Sequence, residues 1–336
     1  MKFGIVVFLI ASISTNVYPQ PKTELPFPKD AVEKADKNLE IRRISAQLDG
    51  AFLMDRRAQI GPLLEELKKL APESAVYFYF KGLEAFTQNR KLLALSFLRK
   101  ATATDPAFSP AQNMTGLLLL DANRPLEAHP FFNSAVEKSP HDPVYLYNLA
   151  MCEVSLEHRD LAIGYLTRAL EAKANFAEAA FWKGSLLLRT GQRQAAFPLL
   201  SSSIDFGVTD PRAYQEFFRL AEELGREARI LEVLDGMAEV RDAPRLRIAA
   251  DVSMRYAEWE KVDWFFTRLL GLPDATKEDR KKYVDALFAS NRNPANWIRT
   301  LRIEESERSE LLSYLREMSS SGPLYPARDP VARPGR

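Results

Sequence analysis

The chain of 336 residues has one cysteine, Cys152, and three histidines, His129, His141 and His158. A single cysteine excludes an intramolecular disulfide in any redox compartment. Cys152 falls in a helical pattern beside Ala150 and Val154, with no histidine pattern to activate it. A buried, inert thiol is expected. The histidines show no His-x-x-x-His or Cys–His spacing, so no metal site is expected. Gly-rich phosphate loops and a G-x-S-x-G turn are absent too. The carboxylate pairs Glu65-Glu66, Glu222-Glu223 and Glu304-Glu305 are sequence neighbours. On a helix such neighbours diverge, so they cannot face each other across a substrate. The sequence therefore points away from an enzyme and calls for no cofactor. Net charge is missing as well, at +1. That leaves no global field to gather nucleic acid.

Long apolar runs are absent except at the start. Lys2 precedes the mostly apolar stretch Phe3 to Ile13, and Ser14, Thr15 and Asn16 follow. A short basic start, an apolar stretch and a small-residue exit describe a secretory signal peptide, assigned to residues 1–18. The stretch is shorter than the roughly 20 residues that span a bilayer, so no transmembrane span is expected in the mature chain. Residues 19–29 carry four prolines and read as an extended linker. Export is expected, to the periplasm in a double-membrane bacterium and otherwise to the exterior.

What is present is a period. Pro72, Pro106 and Pro140 lie 34 residues apart, as do Gly82 and Gly116, continued by Ala150 and Gly184. Ala94, Ala128, Ala162 and Ala196 form another such series, and Ala101, Ala135 and Ala169 a third. A fixed period of this length signals stacked repeats. Units start at Ile41, Ala75, Ser109, Pro143, Ala177, Pro211, Arg245 and Asp279, and each reads as two helices. Small residues at positions 8 and 20 let paired helices approach, while Phe78, Leu98, Leu166 and Leu200 fill the seam. After Arg302 the phase breaks, and residues 304–318 predict an amphipathic capping helix. The tail 319–336 carries four prolines and no apolar period, and reads as disordered.

These positions resemble the tetratricopeptide repeat, most fully over residues 75–200. That family has 34 residues per unit, small residues at positions 8, 20 and 27, and proline at 32. Gly82, Ala94, Ala101 and Pro106 match it, as do Gly116, Ala128, Ala135 and Pro140. Units one, six, seven and eight keep the length but place Ile60, Ile230, Trp264 and Ile298 at position 20. Larger residues there should splay the helix pairs. The resemblance implies an all-α, right-handed superhelical solenoid over residues 30–318. It also implies a concave groove lined by the first helix of each unit. Carried over by position, Tyr79, Leu83, Phe86, Asn113, Tyr147, Asn148, Phe181 and Arg189 would line it. Rigid aromatics there would bind an extended peptide or an amphipathic helix. The basic residues of the family's clamp for C-terminal carboxylates are missing. In unit six the wall becomes Arg212, Gln215, Arg219, Glu222 and Glu223, expected to be a solvated face. The expected function is a non-catalytic exported scaffold for a protein or peptide. The alternative is an envelope assembly or structural factor that uses its convex face or self-associates.

Overall fold

The computed structural model describes residues 29–321, with side chains from 36 to 319. The signal segment, the linker up to residue 28 and the tail from 322 lie outside the described residues. Lys29, counted with the linker, opens the first helix, and the last helix runs on to Ser321. Every regular element among the described residues is a helix. They are α1 (Lys29–Leu53), α2 (Arg57–Leu70), α3 (Ala75–Thr87), α4 (Lys91–Thr104), α5 (Ser109–Asp121) and α6 (Pro125–Lys138). Next come α7 (Pro143–Ser155), α8 (Arg159–Ala172), α9 (Ala177–Arg189), α10 (Arg193–Asp205), α11 (Pro211–Glu223) and α12 (Glu227–Gly236). A 3₁₀ turn, Met237–Glu239, leads to α13 (Ala243–Arg255), α14 (Trp259–Leu270), α15 (Lys277–Ala289), α16 (Pro294–Thr300) and α17 (Glu305–Ser321). The described residues fall into two compact units that divide after Leu186.

In the first unit consecutive helices pair as antiparallel hairpins, and the seam within each hairpin depends on side-chain size. A Cβ added at Gly82 would come within 2.7 Å of Leu98 Cγ, and one at Gly116 within 2.8 Å of the Phe132 ring. The alanines at positions 20 and 27, Ala94, Ala128, Ala162, Ala101, Ala135 and Ala169, are fully buried. Leu98, Phe132 and Leu166 fill the space they leave. Stacking of one hairpin on the next continues the core through Ile44, Leu48, Leu67, Met114 and Leu149.

The local signals repeat too. Several first helices are capped by side chains: Ser74 accepts from the Tyr77 N–H, and Asp142 from those of Val144 and Tyr145. These caps satisfy donors that the helix itself cannot. Each first helix ends at a left-handed residue. At Asn89 the turn closes with Arg90 N–H donating to the Ala85 carbonyl at 2.8 Å, a Schellman arrangement. Such residues fall at Asp55, Asn89, Asn123, Glu157, Gly191 and Gly225, each 34 after the last, and then at Ala257 and Asn291.

The step from Gly225 to Ala257 is two residues short of the period. The cause lies in the second unit, where α12 has 10 residues and gives way to the 3₁₀ turn. The following first helices consequently begin at Ala243 and Lys277 rather than with the expected unit starts, Arg245 and Asp279. This moves position 20 of the seventh unit from Trp264 to Val262, which is fully buried. Trp264 instead carries the Arg268 guanidinium over its ring at 3.9 Å.

The second unit also relies on ion pairs between neighbouring hairpins. Arg255 binds Glu222, Lys282 binds Asp251, and Arg247 holds the buried Asp279 at 2.8 Å. Asp279 also completes the capping box with Thr276 at the start of α15. At the C-terminal end, Val284 and Ile298 pack against Leu311 and Met318 of α17. The Tyr314 hydroxyl donates to Asp285 at 2.9 Å, while Arg280–Glu307 and Lys281–Glu310 flank it.

Two predictions follow from this packing. Gly116→Ala pushes a methyl into the Phe132 ring and should destabilise by about 1–3 kcal/mol, measured by denaturant unfolding. Burial pushes the Asp285 carboxyl up to about 6 from an ordinary 3.8, against the Tyr314 hydrogen bond that favours the anion. A raised folded-state value means that stability is complete below 3.8 and is lost as pH rises through about 6. Asp285→Asn should therefore raise the melting temperature at pH near 8, with the gain shrinking as the pH is lowered through that window.

Candidate binding groove

The first helices α3, α5, α7 and α9 carry the residues that repeat position assigns to a groove. Depth separates them. Tyr79 is 3% exposed and Phe181 2%. Tyr79 packs edge-on against Phe80 and Phe108, with ring centroids 5.2 and 5.4 Å away. Phe181 lies against Trp182. Both rings are structural floor, with little area to offer a ligand in this conformation. Leu83 is buried as well. Phe86 and Tyr147 are half-buried and keep accessible edges, as do Leu120 and Met151. Tyr147 is held by the Phe176 ring at 5.2 Å. Arg189 is exposed and belongs to the second unit.

Asn113 and Asn148 meet across adjacent hairpins. Both are buried, and the Asn148 amide donates to the Asn113 carbonyl oxygen at 2.9 Å. They stand 35 residues apart, so each comes from the first helix of its own unit. This bond uses one donor of Asn148 and the carbonyl of Asn113. The Asn113 amide group and the Asn148 carbonyl remain for a further partner.

The other chemistry-bearing residues fall elsewhere. Glu153 is buried and bridges two imidazoles, His129 Nε2 at 3.0 Å and His158 Nδ1 at 2.8 Å. Sequence reasoning missed this cluster because its members come from neighbouring units and share no spacing motif. Cys152, next to it, is fully buried and donates to the Pro125 carbonyl. Burial, reinforced by Glu153, pushes its thiol up to about 12. Among the described residues no group of three acidic, His or Cys side chains is arranged to hold a metal ion. In the second unit Glu222 and Glu223 pair with Arg255 and Arg193, and Arg212 with Asp210, which makes that stretch an ion-paired face.

Stacked helix hairpins with this seam define a helical-repeat protein. Residues 147–211 match the family model of the tetratricopeptide repeat. Among solved structures, Pseudomonas aeruginosa PilF is similar at 17% identity and a TM-score of 0.57, covering 64% of this chain and 99% of its own. PilW, a widely conserved type IV pilus biogenesis factor, is similar at 18% identity and a TM-score of 0.50, covering 59% and 91%. At these identities the likeness shows the fold. No curated protein matches the sequence. No helix among the described residues is long and apolar enough to cross a membrane.

The amide pair generates its own prediction. Asn148→Ala strands the buried Asn113 side chain and should cost about 1–3 kcal/mol. The double replacement of Asn113 and Asn148 by Ala should cost less than the sum of the two single changes, a coupling read from a double-mutant cycle in denaturant.

Proposed function

We propose that this protein is an exported, non-catalytic scaffold that binds a protein or peptide segment along the first-helix face of its first unit. The observation that carries this reading is the Asn113–Asn148 pair on the same series of first helices that carries the half-buried Phe86 and Tyr147. The free amide and carbonyl ends suit a ligand's backbone, and the accessible aromatic edges suit its apolar side chains. Tyr79, Leu83 and Phe181 hold that wall from beneath. Because the helices are fixed by hairpin packing, binding orders mainly the ligand, which limits its entropic cost. The tetratricopeptide repeat supports a protein-interaction role, and the N-terminal segment Phe3 to Ile13 supports export.

The test joins capture with a folded variant. Purified wild-type protein is used to capture partners from envelope extract, beside a Phe86→Ala, Tyr147→Ala form whose helical signal and cooperative melting are verified. The captured partner, once purified, should bind the variant at least about ten-fold more weakly by titration calorimetry, a loss of about 1.4 kcal/mol. Equal affinity would remove this face from the reading and favour a role in envelope assembly through other surfaces. N-terminal sequencing of the protein recovered from the periplasm or medium tests export: the mature chain should start after the apolar segment.

A further inference from the structure

Asp49 lies on α1, outside the set of residues assigned to the groove from sequence. It occupies position 9 of its unit, the repeat position that Leu83 fills in the next. Its carboxylate is half-buried, and the Oδ1 atom is buried without a hydrogen-bond partner. A carboxylate can only accept, and withdrawing one from water without a donor or a cation is costly.

Its own helix offers no relief. The residues one turn away are Ser45, Ala46, Phe52 and Leu53. Ser45 donates its hydroxyl to the Ile41 carbonyl at 2.7 Å, and the other three have no polar side chain. Several charged groups of α1, α2 and α3 pair with one another. On α1, Arg43 is bound by Glu40 and Glu66, and in the turn that follows Asp55 binds Arg57, the first residue of α2. On α2, Glu66 is thereby held and Lys68 lies beside Glu65. On α3, Lys81 pairs with Glu84. Arg42 stands two turns from Asp49 on the same side of α1. The titratable group of α3 that feels Asp49 is the Tyr79 hydroxyl, which burial and then the Asp49 charge hold well above its ordinary range. Burial alone sets the Asp49 carboxyl, pushing it up to about 7. The helix surface beside it is open, since a Cβ added at Gly50 would meet nothing within 4 Å.

We propose that Asp49 receives a cationic group of the bound segment, a lysine or arginine side chain, at the first-repeat end of the wall. This rests on the groove reading above and adds the ligand's charge to it. The ligand is then a basic peptide: a cation for Asp49, backbone for the Asn113–Asn148 pair, and apolar side chains for Phe86 and Tyr147. A charged donor beside the half-buried carboxylate would supply the opposite charge that it lacks.

A library of random linear peptides displayed on phage tests it, selected at about pH 8 against wild type and against Asp49→Asn. The Asn variant keeps the side-chain shape, and its helical signal and melting are checked first. Wild type should enrich peptides with Lys or Arg at a fixed offset from an apolar residue, and Asp49→Asn should enrich peptides without that basic position. A synthetic enriched peptide should bind wild type about ten-fold or more tighter than the same peptide with norleucine in place of the basic residue. Only the anion binds the cation, so wild-type affinity should fall as pH drops below about 7, toward ten-fold per unit, while the variant stays flat. Enrichment without a basic position, the same preference in both forms, or a flat wild-type pH profile would overturn the role of Asp49 and leave the groove standing. Failure of both forms to enrich any peptide that competes for the Phe86 and Tyr147 face would overturn the groove reading, and this role with it.

Discussion

The structure depends on how closely two antiparallel helices can approach within a hairpin. At Gly82 and Gly116 there is no room for a methyl group, because Leu98 and Phe132 occupy it. Packed interiors have few voids, so this fit cannot be relaxed cheaply. Within the first unit the apolar face of a hairpin is then covered by the next hairpin. The seam therefore determines where Phe86, Asn113, Tyr147 and Asn148 stand relative to one another, although none of them takes part in it.

The two units solve the stacking problem with different chemistry. The first uses small residues and a nearly unbroken apolar core. The second places larger residues such as Ile230 and Val262 in the seam. It adds charged pairs between successive hairpins: Arg255–Glu222, Lys282–Asp251, Arg247–Asp279 and Arg292–Asp263. Exposed pairs of this kind contribute at most about 1 kcal/mol each and weaken with salt. Asp279 is the exception, since its carboxylate is buried, bonded to Arg247 and shared with the Thr276 cap.

Sequence spacing made the hairpins legible because the residues that enforce close approach are small in the second to fifth repeats, and smallness can be read without coordinates. The same spacing does not carry a side chain's depth. Tyr79 and Phe181 hold repeat positions assigned to the groove, yet both are buried, packed against Phe80 and Phe108 and against Trp182. Counting in steps of 34 also assumed that every second helix has the same length. The short α12 broke that assumption and moved Val262 into the place assigned to Trp264. Contacts between units, such as Asn148 to Asn113 or Glu153 to its two imidazoles, depend on three-dimensional neighbours and carry no linear motif. The unmet oxygen of Asp49 is of the same kind, a property of its surroundings and not of its letter.

Cys152 has a kinetic consequence. It is the only thiol in the chain, it is fully buried, and burial suppresses the reactive thiolate. A thiol reagent can reach it only when α7 parts from the start of α6, where Sγ rests on the Pro125 carbonyl. The labelling rate is thus a clock for local opening between the third and fourth repeats, present in the unmodified protein. A ligand that clasps both repeats would slow that clock, and one that binds elsewhere would leave it running at its own pace.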